Sequence, residues 1–154
     1  MTNSSIPTFV DWTANASESR TGDPLWSVQA YRLAVYAVEC HTADRLAITA
    51  LVNAPTFDQL TRAIGSIAAN IAEGYSRSSI ADRNRFYGYA LGSAREAIAW
   101  YDTLRIELGE LASTRQSTLV QVRRLLLTTL KRGRSDSALA ALSDPTRVPS
   151  RKAP

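Results

Sequence analysis

The chain is poor in the residues from which metal, redox and disulfide chemistry is built. Its 154 residues include one cysteine, Cys40, and one histidine, His41. A lone cysteine excludes an internal disulfide and fits a reducing, cytoplasmic setting. One histidine cannot supply the two Glu-x-x-His units of a di-iron helical protein, and zinc lacks a thiolate and imidazole set, so neither metal nor cofactor is expected. His41 lies two residues from Glu39, on a different helical face, and reads as a surface or interface residue. No apolar run approaches the roughly 18 residues of a membrane span, so no membrane partner is expected. The first residues lack the basic start and apolar stretch of a secretory signal. No glycine-rich phosphate loop follows a strand and no nucleophile motif is present. Arg32 and His41 stand nine residues apart, too far for the Arg–His pair of a small helical ribonuclease. No enzymatic activity is expected.

Lysine is also scarce: of 18 basic residues only Lys131 and Lys152 are lysines. What is present is arginine, unevenly spread. Residues 1–55 hold three Arg against five acids, and residues 56–110 hold six against seven. Residues 111–154 hold nine basic groups against Asp136 and Asp144. A near-neutral body with a basic end points to an anionic partner, RNA or DNA before membrane. The candidate contacts are Arg123, Arg124, Lys131, Arg132 and Arg134, with Arg77, Arg83 and Arg85 as a second patch.

Strand alternation is absent and helical periodicity pervades the chain. Residues 1–22, rich in Ser, Thr and Asn, read as a flexible N-terminal arm. Asp23-Pro24 is an N-cap and first-turn proline opening a helix from Leu25 to about Thr49. That helix carries one apolar stripe (Trp26, Ala30, Leu33, Ala37, Cys40) and a second (Val28, Tyr31, Val35, Val38), so it should be covered on more than one side. Thr56 and Gln59 have capping-box spacing for a second helix ending near Glu73, with Gly74 as its left-handed terminator. Ser79 caps a third helix, Ile80 to Leu108, with Phe86, Ala90, Ala94, Ala97, Tyr101, Leu104 and Leu108 inward. Ser113 or Thr114 caps a fourth, with Leu119, Val122, Leu126 and Leu130 inward and an end near Gly133. The expected fold is all-α: an antiparallel up-down-up-down four-helix bundle over residues 23–133, followed by a flexible basic tail, 134–154.

Helix two raises a question of its own. Arg62, Ser66, Asn70 and Glu73 recur at spacings of four, four and three, a polar ridge opposite Ile64, Ile67, Ala68 and Ile71. With the turn centred near Arg77, Arg62 would lie toward Gly92, Ser93 and Glu96, and Ser66 toward Gly88. Glycine inside a helix costs about 1 kcal/mol relative to alanine, which a close helix approach at Gly88 and Gly92 would explain. The ridge is therefore expected to be architectural: a network of Arg62, Ser66, Asn70, Glu73, Ser93 and Glu96 that fixes register, with Arg77 as the partner of Glu73.

The segment "QLTRAIGSIAANIAEGYSRSS", followed by "FYGYALGSAREAI", resembles the four-helix proteins encoded in intervening sequences of bacterial 23S ribosomal RNA genes. The shared signature is Arg62-Ala63, Ser66-Ile67, Asn70 to Gly74, Arg77-Ser78, and then Ala90, Gly92, Ser93 and Glu96. The resemblance covers about Leu25 to Leu130. It departs at Thr61-Arg62, where the family often has two arginines, and in "ADRLAITALVNAP", where the family tends to place Pro and Glu. It implies a ring-like homopentamer without enzymatic activity. It also implies kinship to the accessory variability determinant of diversity-generating retroelements, a basic pentamer that binds a reverse transcriptase and nucleic acid. The expected function is a non-enzymatic homo-oligomeric scaffold for nucleic acid; the alternative is a protein-interaction adaptor that binds none.

Overall fold

A computed structural model describes residues 6–142, with side chains as far as residue 135. Among the described residues the protein is all-helical, without strands. Short helices α1 (Phe9–Ala14) and α2 (Glu18–Thr21) and a 3-10 turn (Pro24–Ser27) precede α3 (Gln29–Ala43) and α4 (Arg45–Thr49). Then come α5 (Ala54–Tyr75), α6 (Ile80–Thr103), α7 (Arg105–Leu108) and α8 (Glu110–Leu142). Helix α3 packs on α5 and α8, and α6 packs on the same two. No helix among the described residues is long and apolar enough to cross a membrane.

The apolar periodicity places most of the core where it is expected, except that Tyr87 and not the predicted Phe86 is buried at the start of α6. Leu33, Ala37 and Cys40 of α3, Ile64, Ile67 and Ile71 of α5, and Ala90, Ala94, Ala97 and Tyr101 of α6 are buried, as are Leu119, Val122, Leu126 and Leu130 of α8. Each fully buried branched side chain contributes about 1.5–3 kcal/mol, which fixes the inward face of every long helix.

Several predicted boundaries are displaced. The first helix is interrupted: Asp23 does cap, accepting from the Leu25 N–H at 2.8 Å, but it opens only the 3-10 turn. The second helix is capped by Asn53, whose Oδ1 accepts from the Thr56 N–H at 2.9 Å, and not by Thr56. The predicted third helix ends at Thr103 and resumes as α7. The fourth begins at Glu110, directly after Gly109, whose φ of 53° is the one positive value among the described residues. It then runs through Gly133 to Leu142, so the predicted end and the start of the predicted tail are helical; residues 143–154 lie outside the described residues.

The N-terminal arm is corrected as well, from residue 6 onward. Trp12 is buried with Trp26, Tyr36 and Cys40, and Phe9 packs against them. The Trp12 indole N–H donates to Glu39 at 2.5 Å, and Tyr36 donates its hydroxyl to the Pro7 carbonyl at 2.8 Å. Arg20 bridges Glu39 and lies over the Trp12 ring at 5.2 Å. The chain's own N-terminal segment thus covers Tyr36 and Cys40 of α3 together with Tyr31 and Val35 of the second stripe, while Val28 and Val38 of that stripe pack on the main core. The sequence suggests a mobile arm because its apolar residues are too few to show periodicity; two aromatic rings, Phe9 and Trp12, suffice to dock it on Trp26 and Tyr36.

His41 is buried and not a surface residue. It stacks on Phe57 at 4.9 Å between centroids, and its Nε2 lies 2.7 Å from the Thr61 hydroxyl. Thr61 gives its own hydrogen to the Phe57 carbonyl, so His41 Nε2 must be the donor and Nδ1 the bare nitrogen. That Nδ1 is buried without a partner. Protonating it would bury a charge with nothing to receive it, and burial accordingly lowers the His41 pKa, with Asp44 opposing in part. The unfolded chain therefore binds the extra proton first, and stability is lost as pH falls through the ordinary histidine range near 6.5. Thermal unfolding at pH 7.5 and pH 5 should show a drop in Tm for the wild type that His41→Phe reduces; an equal drop in both would refute this role.

Candidate nucleic-acid interface

The polar ridge of α5 is partly internal. Asn70 donates from Nδ2 to the Ser66 carbonyl at 2.8 Å and to the Ser66 hydroxyl at 2.9 Å. Ser93 donates to the same hydroxyl at 3.1 Å, the link between α5 and α6. Glu73 is ion-paired with Arg77 one turn on, where the guanidinium offsets a carboxylate at the helix's negative end. Arg62 and Glu96 stand outside this set: both are exposed and neither has a partner among the described residues.

The reason is register. Ser66 meets Ser93 and not Gly88, a shift of five positions along α6. Gly88 and Gly92 consequently mark no close approach within the chain, for a Cβ on either would meet nothing within 4 Å. The close approaches lie elsewhere. A Cβ at Gly74 would sit 2.8 Å from the Tyr87 ring, so Gly74 is a packing residue inside α5 and not a left-handed terminator. A Cβ at Gly133 would sit 2.5 Å from the Asn84 side chain. The sequence pattern suggests a helix end at both glycines, whereas in the fold they admit α6 to its neighbours.

The basic residues divide into groups. On α8, Arg124 and Lys131 are seven residues apart and share an exposed face, since two turns bring a helix back almost to the same direction. Arg123, half-buried, and Arg134, exposed, lie to one side of that face and Arg132 to the other, so the five predicted contacts do not form a single surface. In the second patch, Arg77 and Arg85 both lie over the Phe86 ring, at 5.0 and 5.4 Å, and both carry carboxylate partners, Glu73 and Asp82. Arg83 has none; its Nη2 donates to the Arg77 carbonyl at 3.1 Å, and its Nε is buried without a partner.

Arg83 and Arg132 come together. A cleft of about 210 Å³ between α6 and α8 is lined by Ile80, Arg83, Asn84, Tyr87, Thr129, Arg132 and Gly133. The Tyr87 hydroxyl pKa is raised by burial, while the Arg83 charge on the same helix pulls it down in part. Sequence reasoning puts these two arginines in separate patches, 49 positions apart; their convergence depends on which turn of α8 lies beside the start of α6. Among the described residues no group of three or more His, Cys, Asp or Glu is placed to hold a metal.

Residues 51–124 match the family described as 23S rRNA-intervening sequence protein, which covers α5, α6 and the first half of α8 and contains both quoted motifs. No curated protein matches the chain. The resemblance read from the motifs is borne out over that segment.

Proposed function

We propose that this chain, with its 23S rRNA-intervening sequence protein segment, is a non-enzymatic scaffold that self-associates and holds RNA or DNA through arginine contacts to phosphate. In this reading the four long helices α3, α5, α6 and α8 form an antiparallel up-down-up-down bundle, and the nucleic acid runs along the end where α5 gives way to α6. The observation that carries it is the convergence of Arg83 and Arg132, two cations without carboxylate partners among the described residues, on one cleft. Uncompensated arginines attract polyanions through released counterions, and such contacts are indifferent to sequence. Self-association is supported by apolar side chains left uncovered at the opposite end of the helices: Leu46 is 83% and Ile106 94% exposed. Several copies would repeat the basic surface and raise avidity without any new kind of contact. The narrower role of accessory to a reverse transcriptase is supported by the resemblance alone.

A gel shift with structured RNA and with duplex DNA tests the proposal. The wild type should retard at least one of them, and the Arg83→Gln, Arg132→Gln double variant should bind about tenfold or more weakly, as expected when two charge-assisted hydrogen bonds are removed. Retardation of neither ligand would favour the adaptor reading. Light scattering should give a mass that is a whole multiple, two or greater, of the 16.8 kDa protomer.

A further inference from the structure

The cleft between α6 and α8 has a more specific chemistry than a general basic surface. Its two guanidiniums come from different helices, Arg83 from α6 and Arg132 from α8, and neither has a carboxylate partner among the described residues. The neighbouring Arg77 and Arg85 are both ion-paired, and Lys131 and Arg134, unpaired among the described residues, lie outside the cleft, so it is Arg83 and Arg132 that bring uncompensated charge into it from two helices. Arg83 is held in place, with Nη2 tied to the Arg77 carbonyl, yet its Nε–H is buried with no acceptor. A buried donor left unmet costs about 1–3 kcal/mol, a cost that a small shift of the Arg83 side chain onto an acceptor in the cleft would relieve. The Asn84 amide stands against Gly133, where any side chain would displace it, and it has no hydrogen-bond partner among the described residues. Thr129 donates its hydroxyl to the Leu125 carbonyl and serves as a wall.

The lining residues thus offer two guanidiniums, the Asn84 amide and the Tyr87 hydroxyl as donors, and no acid is among them. A phosphodiester presents two free oxygens and one charge. A phosphomonoester presents three strong acceptor oxygens and about two charges at neutral pH, which matches two guanidiniums and an amide closing from opposite walls. We infer that this cleft, formed by Arg83, Asn84 and Arg132 around Gly133, is a binding site for a phosphomonoester group. For the molecule that carries the group the inference rests on the nucleic-acid reading: in such a ligand it is the phosphate at a strand end.

The test uses the full chain and one short single-stranded RNA sequence prepared with a 5′-phosphate, with a 3′-phosphate, or with neither. At least one phosphorylated form should bind about tenfold tighter than the unphosphorylated one, as expected for a pair of charge-assisted contacts. Inorganic phosphate should compete that advantage away. Arg132→Gln should bring the three RNAs to within about twofold of each other, while Arg105→Gln, at the far end of the helices, should leave the advantage intact. If all three RNAs bind the wild type equally, the monoester site is refuted and the nucleic-acid reading stands. If no RNA binds but inorganic phosphate shifts the Asn84 side-chain amide resonances, the site stands and the nucleic-acid reading falls. If neither RNA nor phosphate has any effect, both are refuted.

Discussion

Asp44→Asn should cost about 3 kcal/mol or more of folding stability, the largest loss expected from any polar substitution in this protein. Asp44 sits where α3 gives way to α4, and Arg115 of α8 reaches it with two parallel hydrogen bonds, Nε to Oδ2 at 2.6 Å and Nη2 to Oδ1 at 3.1 Å. The side chains are only 15% and 11% exposed, so the pair is largely removed from water. Burial by itself opposes the Arg115 charge, but the Asp44 hydrogen bonds outweigh it and the pKa of the guanidinium is raised. Removing one partner leaves the other charge desolvated and uncompensated, which typically costs about 3–5 kcal/mol. Removing both is different. The double change Asp44→Leu, Arg115→Met should recover most of the loss, because the desolvation penalty disappears with the charges. Urea unfolding of the wild type, both single variants and the double variant measures this. Single-variant losses below about 1 kcal/mol would mean that the pair is solvated and weak.

Gly74→Ala and Gly92→Ala should shift stability in opposite directions. Both positions are helical with ordinary backbone angles, so intrinsic propensity favours alanine at each by roughly 0.8–1 kcal/mol. At Gly74 the added methyl would meet the buried Tyr87 ring at 2.8 Å and the Phe86 Cβ at 3.1 Å. Overpacking of this kind costs about 1–3 kcal/mol beyond any propensity gain, since moving the buried Tyr87 ring disturbs its packing between α5 and α6. At Gly92, exposed and with nothing within 4 Å, the gain should appear whole. Thermal melts of the two variants separate the observed α5–α6 register from the one the sequence suggests, in which Gly92 is the point of contact. A destabilised Gly92→Ala whose deficit depends on protein concentration would instead place that glycine between copies of the chain.

The contrast between these glycines shows where sequence stops informing structure. Burial of Ile64, Ile67 and Ile71, or of Ala90, Ala94 and Ala97, follows from periodicity along a single helix, a local property written in the chain. Which residue of α6 stands opposite Ser66 depends on how two helices settle after their turn, and a five-residue error moves every cross-helix pairing. Gly74 and Gly133 look alike as helix terminators, and only the positions of Tyr87 and Asn84 reveal that each clears space. The docked N-terminal segment is hidden for a different reason: Phe9 and Trp12 are lone aromatics in a polar stretch, and their partners Trp26 and Tyr36 carry no mark of them. Of the candidate site, the residue types are legible and their grouping is not. Arg83 and Arg132 both stand out in the sequence, but in different patches, because the turn of α8 that lies beside the start of α6 is set by how the two helices pack and not by either helix's own pattern.

The salt dependence of RNA affinity tests the central claim most directly. If Arg83 and Arg132 neutralise phosphates, the logarithm of the association constant should fall linearly with the logarithm of salt concentration. The Arg83→Gln, Arg132→Gln variant should flatten that line by about 0.7 for a single strand if both arginines meet one phosphate, and by about 1.4 if each meets its own. An affinity indifferent to salt, or a slope identical in wild type and variant, would contradict the account.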